Sequence, residues 1–311
     1  MARNRPTRIV IDCDPGTDDA VALLLAAASP ELDLAVVTVA GGNVGLAHTL
    51  RNALALMRLA GHPAPVHAGA DRPLLGRYEG AQWVHGADGM GGIGLPPGGP
   101  PAPGHAADAL RALLRGAAEP LTLVGIAPAT NLGLVFATEP QLADKVAEIV
   151  LMTGAWGEGN ATPAAEFNAL SDPEALQILL GLGCPMTIAG LELTAQALVT
   201  PARIAALRTL GGGACLQAAC DVMASVPHAK RLGGEGAALH DPCAVAWLIA
   251  PHLFTSRPCF VEVDLGPGPD RGRTVIDRWD RLGRPHSARV LETLDADGFF
   301  ALLGQRLARL P

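Results

Sequence analysis

Four aspartates are crowded into one short segment near the start of the chain, IDCDPGTDD. Asp12, Asp14, Asp18 and Asp19 fall within eight residues, where a predicted strand turns into a predicted helix. Carboxylates this close repel one another unless a cation or protons compensate their charge. The Pro-Gly pair between them forces a tight bend that lets Asp14 and Asp19 converge on one point. Because such hard oxygen ligands suit calcium or magnesium rather than zinc, the segment predicts a divalent cation site.

Three other interpretations compete with a cation site of this kind. Helix capping needs one or two acids and not four. An EF-hand loop needs an acid at its fifth position and Glu at its twelfth; counted from Asp12, these positions hold Gly16 and Leu23, which excludes it. A haloacid-dehalogenase-type phosphatase also begins with a strand ending in DxD, and Asp12 or Asp14 would then be the nucleophile. Its motif usually runs directly into Gly-Thr, whereas Pro15 intervenes here, so the phosphatase stays open as an alternative.

The elements that must position these aspartates alternate regularly along the chain. A short apolar run at 7–14 is followed by a helical pattern at 18–28 with acids in its first turn. Further strands are predicted at 32–41, 65–70, 121–128, 146–154 and 186–193, and further helices at 45–61, 105–118, 130–138 and 173–182. Continuously apolar strands separated by helices indicate a parallel sheet covered on both faces. We expect one α/β domain over 1–311: a single open, mostly parallel, doubly wound sheet, with edge strands added by residues 257–311.

Polar and glycine-rich sequences stand at the predicted strand ends. They read DCDPGTDD, AGGN, GIAPATN, MTG and LELT. Ligands of doubly wound sheets bind outside the carboxyl ends of the strands, so the chemistry is expected at this edge. Two long irregular loops, 69–104 and 156–171, are predicted to serve the same site.

Charge and composition disfavour several classes of partner. The formal net charge of −7 argues against a polyanion such as nucleic acid. No apolar run reaches membrane-spanning length, and the basic start passes into a strand without the apolar segment of a signal peptide. The six cysteines form no CxxC pair and are predicted to be reduced thiols. We expect a cytoplasmic protein with no nucleic-acid or membrane partner.

The aspartate segment resembles the signature of a known family. DCDPGTDDAVA at 12–22 nearly matches DxDPGxDDAxA, which is typical of the inosine-uridine-preferring nucleoside hydrolase family. Further motifs follow in order: GGN at 41–43, HGADG at 85–89, PATN at 128–131, LMTG at 151–154, GN at 159–160, AEFN at 165–168, DPEA at 172–175 and HDPCAVA at 240–246. The resemblance spans about residues 7–250. It implies the nucleoside hydrolase fold and hydrolysis of the N-glycosidic bond of ribonucleosides to ribose and free nucleobase.

The resemblance also implies a calcium ion and the catalytic residues around it. The ligands would be the carboxylates of Asp14, Asp19 and Asp241 and the backbone carbonyl of Thr130. Asp14 would be the general base that takes a proton from metal-bound water, whose pKa the cation lowers. This water would attack directly through an oxocarbenium-like transition state. His240 would protonate the departing base.

Eight side chains are implied to contact the substrate. They are Asp18, Asn43 and Asn168 at the 2′- and 3′-hydroxyls, Asn160 and Glu166 at the 5′-hydroxyl, Met152 and Phe167 beside the ribose ring, and His85 at the base. Trp83, Trp156 and Trp247 are further candidates for stacking on the base, although Trp247 falls on an apolar helix and is predicted to be core. A homodimer or homotetramer is expected. A non-catalytic, calcium-dependent ribose-binding protein is a second alternative, against which the presence of both Asp14 and His240 argues.

The chain departs from the family pattern at the end of the site that receives the base. Relatives tend to place a tyrosine or glutamine near the base from the helix before His240. Here Val226 and His228 occupy that neighbourhood, and the only tyrosine of the chain is Tyr78. PATN also replaces the commoner PLTN, a side-chain change at Ala129 that leaves a backbone ligand unaffected. The preference between purine and pyrimidine bases therefore stays open.

Overall fold

The computed structural model describes residues 5–229 and 233–311. The first four residues of the basic start, and residues 230–232 in the segment before His240, lie outside the described residues. Within the described part, the chain forms a nine-stranded sheet and a separate two-stranded one. In chain order the strands are β1 (Thr7–Cys13), β2 (Leu32–Val39), β3 (Val66–Ala68), β4 (Leu121–Gly125), β5 (Val146–Met152), β6 (Met186–Ala189), β7 (Leu198–Val199), β8 (Ala237–Ala238), β9 (Phe254–Val263), β10 (Thr274–Asp277) and β11 (Ala288–Leu294).

The large sheet has the strand order β10-β9-β11-β6-β5-β4-β1-β2-β3. All neighbours from β11 to β3 run parallel, whereas β9 is antiparallel to both β11 and β10. The predicted open, mostly parallel sheet is therefore confirmed, and the C-terminal tail supplies β9 and β10 as its antiparallel edge. β11 is an inner strand, because it lies between β6 and β9.

Helices cover both faces of this sheet. They are α1 (Thr17–Ala27), α2 (Leu46–Leu59), α3 (Gln82–His85), α4 (Ala106–Gly116), α5 (Thr130–Thr138), α6 (Phe167–Ser171), α7 (Pro173–Leu180), α8 (Leu191–Thr194), α9 (Pro201–Thr209), α10 (Ala214–Ser225), α11 (Asp241–Ile249) and α12 (Ala296–Leu307). Successive residues of a strand point to opposite faces. Ile9 and Ile11 accordingly pack with α1, α2, α10, α11 and α12, while Val10 packs with α4, α5 and α7. This two-sided core confirms the doubly wound prediction.

Helix α1 carries the acidic turn at its start and is buried along nearly its whole length. Its sequence is apolar on all sides after Asp19, which is typical of a helix enclosed by other elements. It packs against α10 and α11. The turn between β1 and α1 is therefore fixed at both ends by buried structure.

Two predicted segments differ in detail from the structure. The strand expected at 186–193 ends at Ala189, because Gly190 accepts the N–H groups of Leu193 and Thr194 and so begins helix α8. The long loop at 69–104 contains the short helix α3. None of the helices in the described part of the chain is long and apolar enough to span a bilayer.

Candidate active site

The carboxyl ends of the parallel strands open into a cavity of about 440 Å³. Ten of the residues implied by the family resemblance line it: Asp18, Asn43, His85, Met152, Asn160, Glu166, Phe167, Asn168, His240 and Asp241. The other three, Asp14, Asp19 and Thr130, are buried in the segments that follow β1 and β4. The structure thus gathers residues from eight separate segments of the chain at one edge of the sheet, where doubly wound sheets bind ligands.

The turn between β1 and α1 is held by its own carboxylates. Asp19 accepts the backbone N–H groups of Asp14, 3.1 Å from Oδ1, and of Gly16, 3.0 Å from Oδ2. Asn43, after β2, joins the neighbouring strand end to this turn. Its N–H donates to Oδ2 of Asp14 at 2.6 Å, and its Nδ2 donates to Oδ2 of Asp19 at 3.1 Å. Asn43 therefore fixes two predicted ligand aspartates as well as lining the cavity.

Gly42 permits this close approach of the strand ends. A Cβ atom at this position would lie 2.1 Å from Oδ2 of Asp14 and 3.0 Å from Cδ of Pro128. The first distance is shorter than real side chains show, and the second would require Pro128 to shift. Only glycine lets Asp14 accept the N–H of Asn43 while the end of β4 lies beside it.

Three carboxylates meet where helices α1 and α11 begin. Asp18, Asp19 and Asp241 each offer an oxygen within 4.8 Å of the other two, and no other such set of potential metal ligands occurs among residues 5–229 and 233–311. The family resemblance implied that Asp18 binds ribose hydroxyls and that Asp14 binds the metal. In the structure Asp14 uses Oδ2 for Asn43, and its Oδ1 is buried without a hydrogen-bond partner.

The electrostatics of the cluster favour a compensating cation. Burial, followed by the charges of neighbouring aspartates, raises the pKa of Asp14 and of Asp241 well above the usual range. The same causes raise the pKa of Asp19 to about 7. A divalent cation would compensate the charges that produce these shifts. The donor set and the orphaned oxygen of Asp14 therefore fit a bound metal ion of the oxygen-preferring kind.

Asp12 contacts the strands beside β1 instead of the cavity. Its Oδ1 accepts hydrogen bonds from Oγ1 of Thr38 at 2.6 Å and from Nδ2 of Asn131 at 2.8 Å. Burial raises the pKa of Asp12 to about 7. The residue ties β1 to β2 and to α5 and so orients the cluster without lining the cavity.

Thr130 uses its side chain away from the cavity. Its Oγ1 donates to Oδ2 of Asp172 at 2.5 Å and lies 2.8 Å from the hydroxyl of Tyr78. The group of Thr130 that is available to a cation is therefore its backbone carbonyl. The role of this carbonyl as a ligand stays a prediction.

Glu166 organises the part of the cavity implied for the 5′-hydroxyl. One of its oxygens accepts the N–H of Asn168, and the other accepts those of Gly154 and Ala169, all at 2.8 to 2.9 Å. Burial raises the pKa of this carboxyl. Asn160 accepts the N–H of Phe167 at 2.8 Å, so the segments on either side of Glu166 are joined.

Asn168 is oriented by its amide group. Its Nδ2 donates to the carbonyls of Met152 at 3.0 Å and Ile126 at 3.2 Å, at the ends of β5 and β4. Both amide hydrogens are thus directed at the sheet, which leaves Oδ1 to accept a hydrogen bond from a ligand hydroxyl.

His85 presents a defined tautomer to the cavity. Its Nδ1 accepts the backbone N–H of Thr17 at 3.2 Å and lies 2.9 Å from the Thr17 hydroxyl. Burial lowers the pKa of His85, so the neutral ring predominates. A ring that accepts at Nδ1 carries its hydrogen on Nε2, and His85 is therefore a hydrogen-bond donor.

His240 and a set of apolar residues also line the cavity. Nδ1 of His240 lies 2.8 Å from Oγ1 of Thr194. This apolar wall consists of aliphatic and small side chains: Val199, Met223, Val226, Pro227, Ala229, Ala237, Ala238 and Leu239. Such a surface suits the faces of a flat ring.

The three tryptophans proposed for stacking lie in different places. Trp83 lines the cavity and is 70% exposed. Trp156 packs against the guanidinium of Arg278, whose Cζ lies 4.4 Å from its ring centre. Trp247 is half-buried on α11 and donates to Glu148 at 3.3 Å, as expected for a residue of the core. Trp83 is thus the one of these three that lines the cavity.

The hydrogen-bond partners of the two histidines could not be predicted from the sequence. Thr17 and Thr194 bond the rings of His85 and His240, but hydroxyl residues in DPGTDD and LELT carry no signal of which histidine they will meet. The strand-end position of both motifs was the only available indication.

The doubly wound sheet, and the cavity at its carboxyl edge with carboxylates able to hold a metal ion, define the chain as an α/β enzyme. The chain belongs to the family of inosine-uridine preferring nucleoside hydrolases, whose sequence model matches residues 9–301. The family recognised from the aspartate motif and the class of enzyme are thereby confirmed. The chain is a nucleoside hydrolase, its substrate is a ribonucleoside, and the phosphatase and the non-catalytic binding protein are set aside.

Individual relatives cover almost the whole chain. The pyrimidine-specific ribonucleoside hydrolase RihA of Photobacterium profundum is 42% identical over 96% of this chain and 98% of its own. The protein of the same name from Salmonella paratyphi C is 41% identical, over 96% and 97%. Among solved structures, the purine-preferring ribonucleoside hydrolase from Gardnerella vaginalis is 30% identical with a TM-score of 0.89, covering 97% and 98% of the two chains.

Proposed function

We propose that this protein is a calcium-dependent hydrolase of ribonucleosides that releases ribose and free base by direct attack of water at C1′. The observation that carries the proposal is the buried Oδ1 of Asp14, which has no hydrogen-bond partner. It lies at the turn that also bears Asp18 and Asp19. The cavity at the same edge of the sheet is lined by Asn168 and His240. An oxygen without a partner is costly in such a site unless a cation or a substrate proton meets it.

The spacing of the carboxylates is compatible with one shared cation, and their hard oxygen donors favour calcium or magnesium over zinc. Two oxygens that bind one calcium ion at about 2.4 Å can lie at most about 4.8 Å apart, and the oxygens of Asp18, Asp19 and Asp241 lie within 4.8 Å of one another. Asp14, Asp19, Asp241 and the carbonyl of Thr130 would hold the ion. Calcium, when bound, would acidify an attacking water and bind the ribose hydroxyls.

Asp14 is suited to act as the general base. The N–H of Asn43 holds Oδ2, while Oδ1 has no partner in the described protein, so the carboxylate keeps lone pairs free both for the ion and for the proton of the attacking water.

The charge of the cavity suits a cationic transition state and a neutral substrate. Asp18, Asp241 and Glu166 line it, and none of the described lining residues is Lys or Arg. Positive charge developing on the ribosyl ring would be stabilised by these carboxylates. A 5′-phosphate, by contrast, would be repelled by Glu166, so nucleosides and not nucleotides are the expected substrates.

Two histidines would assist the departure of the base. His240 would donate a proton to the leaving nitrogen, and His85 would donate a hydrogen bond from Nε2, since its Nδ1 accepts from Thr17. Neutralising the leaving group in this way lowers the barrier most for bases that are poor leaving groups.

Pyrimidine ribonucleosides are the proposed preferred substrates. The relatives at 42% and 41% identity are named pyrimidine-specific, whereas the one named purine-preferring is 30% identical. The base end offers small aliphatic side chains with His85 and His228 as polar groups, which leaves the choice of base to the experiment below.

The test uses purified protein with and without a chelator. Nitrophenyl riboside should release nitrophenolate, nitrophenyl phosphate should not react, and metal analysis should find one alkaline-earth ion per chain. Uridine and cytidine should be cleaved with a higher kcat/KM than inosine. Absence of ribosyl cleavage would refute the hydrolase, a metal-free active enzyme would refute the cation site, and a preference for inosine would refute the choice of base alone.

We further propose a single domain over 1–311 that acts in the cytoplasm as a homodimer or homotetramer. Both cores share the one large sheet, which supports one folding unit. Light scattering after size exclusion would measure the assembly, and a monomer at micromolar concentration would contradict it.

A further inference from the structure

Tyr78, the only tyrosine of the chain, contacts the supports of the cation site without lining the cavity. It lies in the loop between β3 and α3. Its hydroxyl is 2.8 Å from Oγ1 of Thr130, and its ring faces Gly41, where an added Cβ would lie 3.3 Å from Cδ2. One side chain thus bridges the segments that follow β2 and β4.

The direction of the hydrogen bonds is set by the number of hydrogens available. The Thr130 hydroxyl has one hydrogen, and it donates to Oδ2 of Asp172 at 2.5 Å. It must therefore accept from Tyr78. Asp172 in turn accepts the N–H of Leu74 at 2.8 Å and that of Ala175, at the start of α7, at 3.0 Å. Tyr78 is the outer donor of a chain that joins its loop to α5 and α7.

Both segments that Tyr78 touches bear groups of the cation site. Thr130 carries the carbonyl proposed as a ligand. Gly41 is two residues before Asn43, whose N–H and Nδ2 hold Asp14 and Asp19. Tyr78 therefore joins the two segments from which the cation site draws Thr130 and Asn43.

We propose that Tyr78 is a positioning residue for the cation site, which keeps the Thr130 carbonyl and the 41–43 turn at the spacing that calcium requires. This inference rests on the proposed calcium site. It concerns binding of the ion and not contact with the nucleoside, because Tyr78 is absent from the cavity lining.

The test is calcium binding to Tyr78→Phe after removal of metal by chelation. The variant keeps the ring against Gly41 and loses the hydroxyl. We expect its Kd for calcium, measured by calorimetry, to rise roughly 3- to 10-fold, the effect of one hydrogen bond. At saturating calcium, kcat and KM for uridine should return to within about twofold of the unmodified enzyme. Ser29→Ala is the matched control: it removes a buried hydroxyl that bonds Leu25 at 2.6 Å, at the far end of α1, and should leave calcium affinity unchanged.

A second pair of variants separates positioning from general loss of structure. Thr130→Ser keeps the hydroxyl and should bind calcium like the unmodified protein. Thr130→Val should weaken binding at least as much as Tyr78→Phe, and the double variant should be little weaker than Thr130→Val alone, because the two residues share one hydrogen bond.

Four outcomes would overturn the inference, and they differ in what they reject. Equal calcium affinity in Tyr78→Phe and the unmodified protein, or additive losses in the double variant, would reject Tyr78 alone. A raised KM for uridine that persists at saturating calcium would show a direct effect on substrate and reject the positioning role. Failure of the unmodified protein to bind calcium would reject the proposed cation site together with the inference.

Discussion

The metal-free protein should lose stability as the pH rises from 5 towards 7. Burial raises the pKa of Asp12 to about 7 from an ordinary value of 3.8. Between these two values the native state binds a proton that the unfolded state has released. Because stability rises with pH only where the unfolded state binds more protons, it must here fall with pH. The carboxyl of Asp19, also raised to about 7, acts in the same direction.

The size of the effect follows from the same two values. A carboxyl that is protonated in the native state and ionised in the unfolded state changes the free energy of unfolding by about 1.4 kcal/mol per pH unit. Asp12 alone therefore gives about 1.4 kcal/mol, and Asp19 up to as much again. At about 2 °C per kcal/mol for a chain of this length, the Tm should fall by roughly 3–6 °C per unit.

The assay is a thermal melt of chelator-treated protein at pH 5, 6 and 7, with and without added calcium. Calcium should raise the Tm more at pH 7 than at pH 5, because it stabilises the native state and competes with the protons. Asp12→Asn should reduce the slope of the metal-free protein by about 1.4 kcal/mol per unit. Asp297→Asn, at a side chain that is 95% exposed, is the control and should leave the slope unchanged. A metal-free Tm that is flat or rises between pH 5 and 7 would refute the reasoning.

Three further predictions concern the reaction itself. Asp14→Asn keeps the shape of the side chain but should lower kcat by roughly 10²–10⁴-fold when the metal is bound. The unmodified enzyme should release α-ribose from a β-nucleoside, as seen by rapid NMR. An initial β-ribose product would instead require a covalent intermediate. His240→Ala should slow uridine cleavage far more than nitrophenyl riboside cleavage, whose leaving group needs little protonation, and equal losses would remove His240 from the role of acid. Gly42→Ala should abolish calcium binding and turnover, since the new Cβ would lie 2.1 Å from Oδ2 of Asp14. Gly45→Ala is the control and should behave like the unmodified enzyme, because its new Cβ would have no atom within 4 Å. An active Gly42→Ala enzyme would contradict the close approach of Asp14 to the 41–43 turn.

The parts of the site that were predictable are those encoded within one short segment. Asp14, Asp18 and Asp19 lie in a single motif whose Pro-Gly bend and acid spacing indicate a cation site before any fold is known. The alternation of apolar strands and helices likewise predicted the doubly wound sheet, because burial on both faces of a parallel sheet leaves a continuous apolar signal. Their ends were misplaced by a few residues, as at Ala189, where an apolar run continues past the strand into helix α8.

The unpredicted parts depend on contacts between distant segments. Tyr78 and Asp172 are 94 residues apart and meet only through Thr130. The bond from Thr194 to His240 likewise spans 46 positions. A single sequence gives residue types and local spacing but not which loop comes to face which, so the partners of the histidines and the support of Thr130 required the folded chain.

Helix α1, enclosed on all sides and carrying the acidic turn, has a consequence for how this enzyme could diversify. The turn that begins it is joined to β1, and neither element can shift without disturbing a core, so the reacting end of the site has little freedom to vary. The part of the apolar wall formed by Val226, Pro227 and Ala229 is not fully buried and lies outside that core. The site is thus modular, with an inflexible half that performs one reaction and an adaptable half that meets the base. Libraries restricted to the adaptable half should yield new base preferences while the glycosidic chemistry is inherited intact.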